Sequence, residues 1–204
     1  ASGGPFRDWP IDKLKDVSAE TAANHPNWSM GKKISIDSAS MFNKGLEVIE
    51  ANVLFGLEGQ KINVLIHPQS IVHAFVNFND GSTIAQMSRP DMISAIGYAR
   101  DYTDRSYINV ERMDLIKTGS LTFEEMDFER WPALRLAYDI INLQSSSGAA
   151  YNASKEEALT AFIKNEIGFL DMYKCVYYVI NYLKCVWYFV NKSLGLSEIF
   201  EVDS

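Results

Sequence analysis

The chain is short of the residue types on which most metal and redox sites are built. It has two cysteines, Cys175 and Cys185, and three histidines. No CxxC pair occurs, so a structural zinc site is not expected. On one helix the two cysteines would stand about 15 Å apart along the axis, beyond the reach of a disulfide. They are expected to be reduced core residues in a reducing compartment. A nucleophile elbow, a Walker loop, a GxGxxG fingerprint and an HExxH pair are all missing. Basic charge is also in deficit, 19 residues against 26 acidic ones for a net charge of −7. That field argues against a general nucleic-acid binder and leaves room for one local basic pocket. The longest apolar run, residues 175–190, is short for a membrane span and contains Asn181 and Lys184. It reads as a buried or half-buried helix.

What is present fits a folded globular protein: 47% hydrophobic and 22% charged residues, in a chain long enough for one large domain or two modest ones. The opening ASGGPFRDWP has neither an initiator Met nor an apolar leader. It suggests a mature form or a fragment, and a fragment is the expectation developed below.

Residues 1–32 are rich in Gly, Pro, Asn and Trp and read as a long loop with one short helical candidate at 18–23. A strand is expected at 33–37, a helix from 43 to 56 and a buried strand at 61–68. Two alternating runs around Asn79-Asp80-Gly81 predict a hairpin. A short helix should follow Pro90, with Asp91 suited to its start. After Tyr107 the pattern gives one strand at 118–123. Helices are then expected at 131–142, 152–164, 170–191 and 197–202, the first two separated by the small, polar linker LQSSSGAA.

The stretch ISIDSASMFNKGLEVIEA (34–51) gathers Ser38, Ser40, Asn43, Lys44 and Glu47 around one helix start. On a helical wheel Phe42, Leu46, Ile49, Val53 and Leu57 form the apolar stripe. Asn43 and Lys44 bracket Glu47 at the border of that stripe. An exposed i,i+3 ion pair would explain Lys44 and Glu47 at a few tenths of a kcal/mol, and Ser40 would serve as the helix cap. A cap needs one side chain, however, and this segment supplies four. Unpaired N–H groups at a helix start favour an anion such as phosphate, with Ser38, Ser40, Asn43 and Lys44 as donors. Glu47, one turn inward, would repel phosphate but suits a divalent cation.

Other candidates are weaker. Ser2-Gly3-Gly4 is a common kind of turn. His25-Pro26-Asn27-Trp28-Ser29-Met30-Gly31 sets Trp28 and Met30 in a polar loop, either as a local loop core or as a cover for a ligand. His67 and His73 read as satisfied core histidines, and Met92 as a gap-filler. Glu156, Glu157, Glu198 and Glu201 read as solvated helix faces.

Taken together, ASGGPFR, HPNWSMGKKISIDSASMFNKGLEVIEA, VLIHPQSIVHAFVNFNDGSTIAQMSRPDM, and NAS followed by EEALTAFI resemble the 1-deoxy-D-xylulose 5-phosphate reductoisomerase family. The likeness is dense over 1–92 and looser from 93 to 204. It implies an enzyme of the non-mevalonate isoprenoid pathway. That enzyme uses NADPH and Mg²⁺ or Mn²⁺, with Co²⁺ a further option, to convert 1-deoxy-D-xylulose 5-phosphate to 2-C-methyl-D-erythritol 4-phosphate. Family members begin with a Rossmann-type NADPH domain and then carry an Asp and a Glu that bind the metal. Both would precede Ala1, so this chain resembles the C-terminal half and is expected to be inactive alone.

The implied fold is an α+β catalytic domain, with a mixed sheet, helices on one side and a flap loop, followed by a small α-helical domain. The implied bounds are 1–106 for the catalytic domain (flap about 2–32), 107–127 for a linker with one strand and 128–204 for the helical domain. Carried over by residue, Ser2, Ser38, Asn43 and Lys44 match the substrate-phosphate positions, with His25 nearby. Glu47 matches the third protein ligand of the metal and lies in the substrate site. Trp28 and Met30 match the flap, and Gly31 and Met92 match positions at the cofactor. The resemblance further implies a phosphosugar substrate and a homodimer at full length, with no nucleic-acid or membrane partner. The location would be a plastid-type organelle (chloroplast or apicoplast) or the bacterial cytoplasm. The alternative is a phosphate-binding module without catalysis, and a purely structural α+β interaction domain is a third reading. One departure stands out: Lys155, in NASKEE, puts a charge where relatives usually carry an amide, at a place not expected to touch the site.

Overall fold

The computed structural model describes residues 1–27, 30–143 and 146–185. Its elements in chain order are a 3₁₀ turn at Ile11–Asp16, α1 (Ala19–Ala22), α2 (Lys32–Ser40), α3 (Phe42–Phe55) and a second 3₁₀ turn at Gly59–Lys61. The strands β1 (Val72–Asn77) and β2 (Thr83–Met87) follow, and then α4 (Met92–Arg100), α5 (Leu115–Thr118), α6 (Pro132–Ile141), α7 (Ser147–Ile163) and α8 (Phe169–Cys185). The chain divides into two compact units, each discontinuous in sequence. Unit 1 comprises 1–2, 26–29 and 64–126. Unit 2 comprises 3–25, 30–63 and 127–204.

Unit 1 is organised by the hairpin. β1 and β2 pair antiparallel, with Val76 opposite Ile84 and Asn77 opposite Thr83. The turn forms because Gly81 takes φ +85° and Asp80 Oδ1 accepts from the Ser82 N–H at 2.8 Å, as an Asx turn requires. Asp91 caps α4 by accepting from Ile93 N at 2.8 Å. Among the described residues this two-stranded sheet is the only one, so the expected mixed sheet is corrected to a purely antiparallel hairpin in an α-rich chain. The expected strand at 61–68 reduces to one bridge, Ile66 with Glu124. The strand at 118–123 is also not formed. Asp114 caps α5 instead, and Gly119 at φ +69° turns the chain away after it. Around the bridge His67 is buried, stacked on Phe123 at 4.7 Å between centroids, with Nδ1 donating to the Thr122 carbonyl. Its Nε2 is buried without a hydrogen-bond partner, so the expected satisfied histidine is satisfied on one side. His73 belongs on the surface rather than in a core, with its Nε2 facing the Ser88 carbonyl.

Unit 2 is helical and carries the hydrophobic core. α6 begins with Pro132 at its first position and buries Ala133, Leu134, Leu136, Ala137 and Ile140, the spacing of one helix face. α8 buries Phe169, Met172, Val176 and Ile180. Cys175 and Cys185 fall outside that face and are exposed free thiols, which corrects their expected burial. Among the described residues no helix is long and apolar enough to cross a membrane. The expected helix at 197–202 and the end of the one at 170–191 lie outside the described residues.

The segment 33–37 is helix, not strand. Its apolar–polar alternation is too short to separate the two periods. Tertiary packing decides, because α2 turns Ile36 and Ala39 into the core. Most of the expected flap also packs into unit 2, where Phe6, Leu14, Val17, Ala19 and Ala22 are buried. Arg130 fixes that segment by donating Nη1 to the carbonyls of Phe6 and Trp9. The apolar stripe of α3 holds at Phe42, which is in the core, and at Leu46 and Ile49, which pack against it, but not at its far end, where Val53 is more than 70% exposed and Leu57 is exposed as well.

Candidate functional site

α2 and α3 meet at a single residue. Met41 takes φ 64° and ψ 12°, ending α2 and preceding α3. It is a non-glycine residue in the left-handed region, and its burial holds it there. Ser38 and Ser40 therefore end one helix, while Asn43 and Lys44 open the next. No side chain caps α3. Ser40, expected as that cap, instead donates its hydroxyl to the carbonyls of Ile36 at 2.9 Å and Asp37 at 3.3 Å. The amino end of a 14-residue helix is thus left with its positive dipole end uncapped by any side chain.

Three of the expected residues come together here. Asn43 Nδ2 donates to Glu47 Oε1 at 2.8 Å, and Lys44 Nζ bonds Glu47 Oε2. Both carboxylate oxygens are engaged, one by an amide and one by an ammonium. The Lys44 side chain is 23% exposed and that of Glu47 is 46% exposed, so the pair is screened and its contribution to stability is small. Ser38 is half-buried on α2.

His25 is half-buried, and burial lowers its pKa below the ordinary 6.5, which makes it a neutral hydrogen-bonding group at pH 7. Gly31 is the residue before α2, and a side chain there would meet nothing within 4 Å. That open space leaves the backbone approachable by a ligand. Met30 is half-buried, and Trp28 lies outside the described residues. Ser2 and Met92 belong to unit 1, Ser2 buried and Met92 55% exposed at the start of α4.

Within the first two turns of α3, Glu47 is the one carboxylate in the sequence. Among the described residues no three His, Cys, Asp or Glu side chains gather as a metal group. Its hard oxygens suit Mg²⁺ or Mn²⁺, and its exposure leaves room for further ligands from outside the chain.

Sequence reasoning missed what holds α2 from behind. Lys155 lies on the buried face of α7, in line with Tyr151, Ala158, Leu159 and Phe162. Its Nζ donates to Asp37 Oδ2 at 2.8 Å and also pairs with Glu156, which in turn pairs with Lys33 of α2. Burial opposes the Lys155 charge, yet Asp37 and Glu156 outweigh it and raise the pKa above its ordinary value. Burial pushes the Asp37 carboxyl up, and Lys155 pulls it back. Lys155 therefore holds Asp37, the residue before Ser38, and Glu156 is tied to two lysines rather than freely solvated. Four positions earlier Tyr151 donates its hydroxyl to the Ala133 carbonyl and packs on Gly45 of α3.

Family models place this helical architecture among reductoisomerases. Residues 87–204 match the DXP reductoisomerase C-terminal domain. Residues 1–55 match the 1-deoxy-D-xylulose 5-phosphate reductoisomerase C-terminal domain. The chain belongs to the 1-deoxy-D-xylulose 5-phosphate reductoisomerase family. A reductoisomerase of a Ruegeria species is 48% identical over 203 residues, covering 100% of this chain and 51% of the relative. That of Cereibacter sphaeroides is 54% identical over 172 residues, covering 84% and 44%. A solved DOX-P reductoisomerase in complex with NADPH, fosmidomycin and magnesium superposes with a TM-score of 0.93 at 40% identity, over 100% of this chain and 51% of that one. The chain spans about half the length of the curated relatives it matches, and those two relatives are bacterial.

Proposed function

We propose that this chain is the C-terminal half of an NADPH- and metal-dependent reductoisomerase that converts 1-deoxy-D-xylulose 5-phosphate to 2-C-methyl-D-erythritol 4-phosphate. The observation that carries the reading is the cluster of Asn43, Lys44 and Glu47 at an α3 start that no side chain caps. The names of its relatives support this over a phosphate-binding module without catalysis. The division at 1–106, 107–127 and 128–204, with a flap around Trp28 and Met30, is part of the same proposal.

In this reading the α3 N–H groups, Asn43, Lys44 and the hydroxyl of Ser38 seat the substrate phosphate, with neutral His25 adding a hydrogen bond. Phosphate is remote from the reacting carbons, so its binding energy serves orientation. Glu47 contributes one oxygen ligand to a Mg²⁺ or Mn²⁺ ion, with Co²⁺ as an alternative, the other protein ligands coming from outside the chain. When bound, the metal supplies Lewis-acid polarisation of substrate oxygens. Gly31 offers open backbone to the nicotinamide cofactor. The bacterial relatives support a bacterial cytoplasmic enzyme over a plastid one. A homodimer at full length is supported by the hairpin, where Val76 and Ile84 stand opposite each other, both more than half exposed.

The test is kinetic, in the protein restored to full length. Glu47→Gln should abolish metal-dependent turnover, and near-normal activity would remove Glu47 from the metal. Lys44→Ala should raise KM about 10- to 100-fold, the loss of one charge-assisted hydrogen bond. An unchanged KM would remove Lys44 from the phosphate seat.

A further inference from the structure

The same three side chains carry a second consequence. Lys44 and Asn43 are the two charged or amide donors of the seat, and each directs a hydrogen bond to Glu47. A phosphate arriving at α3 needs those donors pointing toward the helix start. Glu47 needs its two oxygens clear of an ammonium before they can face a cation, since a lysine charge and a divalent ion in contact with one carboxylate repel each other. We propose that Glu47 is a built-in stand-in anion for the phosphate seat. It holds Lys44 and Asn43 in place while no anion is bound, and it is released when phosphate takes them over. Phosphate occupancy thereby exposes the metal-facing carboxylate, and cation occupancy of Glu47 frees the phosphate donors. The two ligands bind with positive coupling, reciprocal by thermodynamic necessity. This rests on the assignment of the seat made above and adds its regulation.

The exposure of the pair sets the size of the effect. Exposed ion pairs contribute little, so the competing carboxylate should weaken phosphate binding about two- to five-fold. The experiment is calorimetric titration of inorganic phosphate into the 204-residue chain in metal-free buffer. Glu47→Gln should bind two- to five-fold more tightly than the parent. Glu47→Asp keeps the charge but draws the carboxylate back by about 1.5 Å, one bond length, so neither hydrogen bond keeps its geometry; it should tighten binding similarly. Glu50→Gln, which removes an exposed charge one turn further along, should change little. If Glu47→Asp binds like the parent while Glu47→Gln binds tighter, the effect is charge alone and the exchange is overturned, with the seat intact. If Lys44→Ala and Asn43→Ala leave phosphate affinity unchanged, or neither the parent nor Glu47→Gln binds phosphate, the seat itself is wrong.

Discussion

Lys155 Nζ and Asp37 Oδ2 meet at 2.8 Å across 118 positions of sequence, both buried, one on α7 and the other on α2 beside Ser38. Removing one partner of a buried pair leaves the other uncompensated. Lys155→Met should therefore destabilise the chain by about 3–5 kcal/mol, read as a lowered urea midpoint. Adding Asp37→Leu to it should recover most of the loss. An unmoved midpoint in the single variant would show that the pair holds nothing together.

Alkaline pH tests the same region. Burial, and secondarily the Asp37 charge, push the Tyr151 phenol well above its ordinary 10.0. Lys155 is likewise raised above 10.5. The folded state keeps protons that the unfolded chain releases from about pH 10, so stability is complete below that pH and falls as pH rises through it. Tyr151→Phe should cost about 1 kcal/mol at neutral pH for its hydrogen bond, yet show a shallower alkaline decline. Equal slopes in the two proteins would exclude Tyr151 as the titrating group.

His25 works on the other side of neutrality. Burial lowers its pKa, so the unfolded chain takes up a proton first as pH falls below 6.5, and stability drops there. His25→Gln should flatten that part of the pH–stability profile. A profile unchanged below pH 6.5 would place the titration elsewhere.

Gly45 sits mid-turn in α3, where alanine ordinarily stabilises a helix by about 1 kcal/mol. Here a Cβ would run into the Tyr151 hydroxyl and the Ala137 methyl. Gly45→Ala should instead destabilise by about 1–3 kcal/mol. Tyr151→Phe in the same chain should relieve part of that cost, as thermal midpoints would show.

The features legible in the sequence were those with local causes. The hairpin follows from Asp80 and Gly81, α4 from Asp91, and α6 and α8 from apolar residues at helical spacing. The Asn43, Lys44 and Glu47 cluster follows from offsets of three and four on one helix. The strand expected at 33–37 failed because five alternating residues fit both periods, and the contacts of Ile36 and Ala39 with the core settled the matter. The partner of Lys155 was not legible for a different reason. A lysine on an apolar face makes sense only once its carboxylate is known, and Asp37 lies more than a hundred residues upstream.

Met41 gives the proposed phosphate seat an index mark. With one residue between α2 and α3, the hydroxyls of one helix and the donors of the other are phased by a single pair of backbone angles. Each residue of a helix advances about 100°. One residue added at this elbow would turn Asn43, Lys44 and Glu47 as a set away from Ser38, with every side chain of the seat still present. The junction therefore tolerates changes of residue far better than changes of length.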